Sequence, residues 1–252
     1  MVLDMFNLKG KVAVVTGART GLGQGMAIGL AEAGADMVLV NHSPMPETEK
    51  MIKVLGRRCI AIEAELSDIN VIPGIIEKTI KEFGRIDILV NNAGIIRRAP
   101  SLEFSEKDWD DVIELNLKSV FFLSQAAAKE MVKQGGGKII NIASMLSFQG
   151  GILIPSYAAS KGGIASLTKT LANEWAKYNI NVNAIAPGYM ETNNTEPLRK
   201  NEGRYKSISE RIPAGRWGKP EDLKGAVVFL ASKASDYVTG HILCVDGGWL
   251  AR

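Results

Sequence analysis

The feature that most constrains this chain is an alternation. Short runs that are apolar throughout recur along it, each followed by a stretch of helical periodicity. The series opens at Val12–Thr16, followed by a helical stretch over 21–33 that stops at Gly34. Further runs fall at 37–41, 58–62, 86–91, 138–143, 180–186 and 241–245. Helical spacing fills 47–55, 71–83, 106–133, 156–178 and 221–231 between them, with Gly56 and Gly84 as further stops. A run without polar alternation is buried on both faces, which in a soluble chain means a parallel strand between two layers of helix.

The expected fold is therefore a single-domain α/β, Rossmann-type doubly wound parallel sheet of about seven strands, with helices on both faces. The 252 residues suit one such domain over 1–252, and no Pro/Ser/Gly-rich linker divides them. One segment breaks the alternation. Residues 188–220 are polar and irregular, with a short helix expected around 197–211, and read as a substrate loop or lid.

Charge and rare residues narrow the partners. Thirty basic and 27 acidic residues leave a net charge of +3 with no basic stripe, which argues against nucleic acid and allows an anionic small molecule. Cys59 and Cys244 are too few for a disulfide scaffold and read as two buried thiols of a reducing compartment. His42 and His241 lie far apart in the chain, so no metal site is expected. Asp4 interrupts the amino-terminal stretch and no apolar run approaches the length of a membrane span. A cytoplasmic protein without membrane contact is expected.

Three motifs carry chemistry. The first strand runs into TGARTGLG at 16–23, where Gly17, Gly21 and Gly23 turn the chain into a helix. Glycine lets the backbone approach a pyrophosphate, and the helix N-terminus beyond it offers free N–H groups. YAASK at 157–161 places Tyr157 and Lys161 four residues apart, on one face of a helix. A phenol that works as a base near neutrality needs its pKa lowered from about 10, and a neighbouring ammonium lowers it. Ser144 follows the fifth strand at its carboxyl end, the edge where open parallel sheets bind ligands.

Taken together with NNAG at 91–94, Asn116 within LNLKSVF, PGYMET at 187–192 and DGG at 246–248, these residues resemble the short-chain dehydrogenase/reductase family over essentially the whole chain. That resemblance implies Tyr157 as general acid/base, with Lys161 lowering its pKa and holding the nicotinamide ribose. It implies Ser144 as the group orienting the reacting oxygen, and Asn116 as holder of a water that links Lys161 to solvent. For the cofactor it implies Gly17, Arg19, Thr20, Gly21, Leu22 and Gly23 at the pyrophosphate and Asn41, Glu65 and Leu66 near the adenosine. It also implies Asn91, Ala93 and Gly94 of the NNAG turn on the adenosine side of the pocket, with Pro187, Gly188 and Thr192 at the nicotinamide, beside Tyr157 and Lys161.

Cofactor choice is set where the second strand ends. An acid there suits NAD and a base suits NADP; here Asn41 and His42 occupy the position, with Arg19 as a candidate phosphate partner. Longer stretches, among them LVNNAGIIRR and RIPAGRWGKPEDL, are similar to the family's sugar-acid dehydrogenases. That similarity implies a six-carbon deoxy sugar acid as substrate, in breakdown of pectin- or alginate-derived uronates, and NAD as cofactor with NADP as the alternative. Arg97 and Arg98 suit a carboxylate, and Met145, Gln149 and Tyr189 are the other candidate substrate residues. The competing readings are a gluconate dehydrogenase, an acyl-carrier-protein reductase and a catalytically silent nucleotide-binding regulator. The long helix is apolar nearly all round and the Tyr157 helix is rich in small residues, both suited to a subunit interface. The family resemblance makes this a homotetramer, with Trp249-Leu250 reaching a neighbouring subunit's pocket.

Overall fold

A computed structural model describes all 252 residues. Seven strands form one sheet: β1 (Val12–Thr16), β2 (Asp36–Asn41), β3 (Cys59–Glu63), β4 (Ile88–Asn91), β5 (Gly137–Ile142), β6 (Ile180–Pro187) and β7 (Ile242–Val245). Their order is β3-β2-β1-β4-β5-β6-β7, and every pairing is parallel. The order reverses between β1 and β4, so a crevice opens there at the carboxyl edge of the strands.

The apolar strands divide their side chains between two cores. Ala13 and Val15 of β1, Ile88 and Val90 of β4 and Ile140 and Ile142 of β5 face one core. Val12, Val14, Leu89 and Ile139, their neighbours in sequence, face the other. Helix α1 (Gly21–Glu32), α2 (Pro46–Val54) and α9 (Lys224–Ala231) cover the first face through Met26, Leu30, Ile52 and Val227. Helices α3 (Ile72–Phe83), α5 (Ser119–Lys133) and α6 (Pro155–Trp175) cover the second through Ile75, Leu123 and Leu171. Burial on both faces is why the central strands β1 and β4 need no polar side. The glycine stops act through backbone: Gly34, Gly56 and Gly84 have φ of 109°, 72° and 75°, a region that costs any other residue strain.

Two elements differ from the expectation. The stretch 106–133 is not one regular helix. Helix α4 (Glu106–Ile113), capped by the Ser105 side chain, joins α5 through a π-turn at Glu114–Lys118. The 188–220 segment contains two short helices, α7 (Glu196–Lys200) and α8 (Glu202–Ser209), because Asn201 ends one and caps the next. Its inner face joins a small core in which Ile208, Ile212 and Trp217 pack with Met145 and Trp249.

Candidate active site

At the crevice the chain builds a cleft of about 360 Å³. One end is the glycine turn after β1. Gly17 has φ 64° and Gly21 φ 60°, and a Cβ on Gly17 would come 2.8 Å from the Asn92 amide nitrogen. A Cβ on Gly23 would overlap the Gly17 carbonyl oxygen. Asn92 fixes this turn by donating to the carbonyls of Thr16 (2.9 Å) and Gly17 (3.2 Å). Thr16 Oγ1 in return accepts from the backbone of Asn92 and Ala93. Thr20 makes no side-chain cap to α1, so the N–H groups of its first turn are left for an anion. These features fit a dinucleotide pyrophosphate.

The outer wall is Asn41, His42, Glu65 and Leu66, at the ends of β2 and β3. Asn41 donates to the Ser43 hydroxyl at 2.8 Å, and Arg19 donates to the same hydroxyl at 3.1 Å. Arg19 is thus on the surface beside the cleft rather than in its wall. Thr20, Leu22, Ala93, Gly94 and Thr192 line the cleft as expected.

The inner end holds the reactive groups. Lys161, 5% exposed, reaches from α6 to donate to the Ile142 carbonyl at 2.5 Å, with its ammonium 5.6 Å from the Tyr157 ring centroid. Burial lowers its pKa to about 8. Ser144 is buried at the end of β5; its Oγ accepts from Leu146 N at 3.1 Å and lies beside the Tyr157 hydroxyl. The Tyr157 pKa is raised, contrary to the simple expectation from Lys161. Desolvation dominates, and the Ser144 hydroxyl and the Arg98 charge pull it back only in part. Lys161, itself desolvated and turned toward the Ile142 carbonyl, is not among the groups that lower it.

Asn116 sits in the π-turn and is buried. Its Oδ1 accepts from Ile95 N at 2.9 Å, its Nδ2 donates to Ile95 O at 2.9 Å, and Nδ2 lies 3.4 Å from Ser160 Oγ. It therefore holds the loop after Gly94 against the helix that carries Lys161.

Several expectations need correction. Asn91 does not face the cleft. It is buried in the second core, donating to Ser124 Oγ and Asn141 Oδ1, both at 2.9 Å. Gly188 packs closely on Asp246, where a Cβ would meet the Asp246 main chain at 2.7 Å. Arg97 is taken up by Asp108 and Asp111 of α4, so of the arginine pair only Arg98 faces the mouth, where it donates to the Asn194 carbonyl at 3.0 Å. Met145 and Tyr189 pack in and against the small core, Tyr189 edge-on to Trp249 at 4.8 Å between ring centroids. Trp249 does not extend toward a neighbour: it is 4% exposed, lies under the Arg211 guanidinium and donates to Gln149 Oε1 at 3.3 Å. Cys59 is half-buried and Cys244 exposed, since β7 is an edge strand. The motif reading missed Asn92, Ile95, Leu115, Ile142, Asn193 and Asn194, all in the cleft wall. Asn92 alone had a visible signal, as the second residue of NNAG.

Comparison with known proteins agrees with this geometry. A family profile described as enoyl-(acyl carrier protein) reductase matches residues 17–250. The chain belongs to the short-chain dehydrogenase/reductase family and is an oxidoreductase. It is 64% identical to 2-dehydro-3-deoxy-D-gluconate 5-dehydrogenase of Escherichia coli K12, over 100% of both chains. It is 54% identical to the enzyme of that name from Bacillus subtilis, over 99% of this chain and 98% of the relative. Among solved structures, one from Agrobacterium tumefaciens, provisionally named 2-deoxy-D-gluconate 3-dehydrogenase and holding NADP, superposes with a TM-score of 0.93. It is 56% identical and covers 99% of this chain and 100% of its own. A gluconate 5-dehydrogenase from Burkholderia cenocepacia, in complex with NADP and tartrate, has a TM-score of 0.95 at 40% identity with full coverage of both chains. No helix here is long and apolar enough to cross a membrane.

Proposed function

We propose that this protein interconverts a ketone and a secondary alcohol on a six-carbon deoxy sugar acid, the 2-dehydro-3-deoxy-D-gluconate named for its relatives, in uronate breakdown. The observation that carries this reading is the convergence of Ser144, Tyr157 and Lys161 at the inner end of a glycine-floored cleft with Arg98 across its mouth. A bound nicotinamide dinucleotide supplies or accepts the hydride. In reduction, Ser144 holds the ketone oxygen and the neutral Tyr157 phenol gives its proton to the developing alkoxide. Lys161 holds the nicotinamide ribose, and Asn116 holds the water through which a proton returns from solvent. Oxidation runs the same path backwards.

Arg98 is the receptor for the substrate carboxylate, since its guanidinium is exposed at the mouth and partnered only by a main-chain carbonyl. Residues 188–220 close over the substrate as a lid. Both NAD and NADP are accommodated: Asn41 suits a ribose hydroxyl, and Arg19 with Ser43 suits a 2′-phosphate. Arg19→Ala is expected to raise KM for NADPH about tenfold, the worth of one charge-assisted hydrogen bond, and to leave KM for NADH unchanged. The exposed groove of about 750 Å³ between α5 and α6, with Phe121, Leu167, Leu171 and Trp175 in its walls, fits the subunit contact of a homotetramer acting in the cytoplasm.

The test is an assay of purified protein with NADH and NADPH against the 5-keto and 5-hydroxy forms of the deoxy sugar acid, with an acetoacetyl thioester as control. Turnover of the sugar acid and a loss of 10²–10⁴-fold in Tyr157→Phe, on the order expected for a general acid, is the expected result. Faster turnover of the thioester would overturn it.

A further inference from the structure

A second polar cavity lies at the opposite edge of the sheet from the cleft. It measures about 230 Å³ and is formed at the amino ends of β1, β4, β5 and β6. The six residue steps from Lys11 to Gly17 along β1 set it roughly 20 Å from the glycine turn. Lys11, Arg85, Lys138 and Lys233 line it, against the carboxylates of Asp87 and Asp236.

The carboxylates are already committed. Asp87 is 4% exposed and accepts four donors: Lys11 Nζ and Val12 N at 3.0 Å, and Arg85 at 2.6 and 2.7 Å. Asp236 accepts from Lys138 Nζ at 2.7 Å, and Asn181 Oδ1 takes a second proton of that ammonium at 2.7 Å. An ammonium has three donors, so Lys138 keeps one unspent. Lys233 makes no ion pair. The four basic groups outnumber the two carboxylates by two, and Lys233 is left with no counter-ion, around a space walled by Asn181 and the Gly135–Gly137 turn. The Lys138 ammonium is disfavoured first by burial and further by the charge of Lys11, a penalty that an anion between them would relieve.

We propose that this cavity is a binding site for a small tetrahedral dianion of phosphate type, held among Lys11, Lys138 and Lys233. The space is smaller than the cofactor cleft. The ion would cross-link the amino ends of β1 and β5 to the 3-10 turn Lys233–Ser235 that follows α9. Its effect is on stability, not on the chemistry at the other edge.

Thermal unfolding tests it, with the cofactor cleft saturated by NADPH so that phosphate cannot report from there. Inorganic phosphate is titrated against chloride at equal ionic strength. The expected result is a saturable rise in Tm, with half-saturation weakened about tenfold in Lys233→Met and in Lys138→Gln, while kcat and KM in a phosphate-free buffer stay as in the parent. Lys233 is exposed and its variant decides the matter if Lys138→Gln does not fold. No saturable rise in the parent, or an equal rise in the Lys233→Met variant, overturns the proposal.

Discussion

Lys161 should destabilise the fold that depends on it for activity. Its ammonium is buried with no acidic partner, and its pKa falls from 10.5 to about 8. Each unit is worth about 1.4 kcal/mol, so the charged form costs the fold about 3 kcal/mol. Below pH 8 the folded and unfolded chains both hold the proton and the cost is present in full. Between pH 8 and 10.5 the unfolded chain binds more protons, and stability rises with pH by up to about 1.4 kcal/mol per unit. Above that window both states are neutral and the cost is gone. Lys161→Met removes the titration but leaves the Ile142 carbonyl without its donor, a loss of about 1–2 kcal/mol. At pH 7 the variant should therefore be more stable than the parent by about 1–2 kcal/mol, although inactive, and by pH 10.5 the order should reverse. Urea unfolding of both chains at fixed protein concentration from pH 7 to 10.5 measures this, because other alkaline titrations are shared and cancel. Two curves that rise and fall in parallel would refute the claim that Lys161 is desolvated.

Other outcomes follow from the same site. With Tyr157 shifted upward by burial, the rate of ketone reduction should stay flat across neutral pH while alcohol oxidation climbs toward the alkaline side; a neutral optimum for oxidation in initial-rate assays would contradict this. Trp249→Ala should cost roughly 3 kcal/mol by opening the small core it shares with Ile208, Ile212 and Trp217, read as a lower urea midpoint. It should also lower kcat/KM by loosening Gln149 and Tyr189, while leaving cofactor affinity intact.

What the chain alone disclosed has a physical boundary. Strands buried on both faces leave an unbroken apolar run, and helices that end on a positive φ leave a glycine, so the sheet and its helical layers could be read locally. Lys161 and Tyr157 could be read because four residues along a helix make one face. Adjacent identical residues could not be separated. Asn91 and Asn92 differ only in which side of β4's end they leave from, one into the second core and the other onto the glycine turn. Arg97 and Arg98 differ because Asp108 and Asp111, three residues apart on α4, capture one of them. Trp249 meets Gln149 across 100 residues of sequence, a distance at which no spacing rule operates. The direction of the Tyr157 shift was hidden for another reason: a motif shows the ammonium nearby but not how dry both groups are.

The π-turn at Glu114–Lys118 is a phase slip. A residue added to one helical turn rotates everything beyond it by about 100°. Helix α4 can then keep its own stripe toward α6 while α5 presents a different one to the sheet, a pairing that a single regular helix would have to trade off. The register of the outer face of α5 and the placement of Asn116 are thereby set by one inserted position. Deleting Leu117 or Lys118 would leave composition almost unchanged, yet it would turn Phe121 and Leu123 to the wrong sides together.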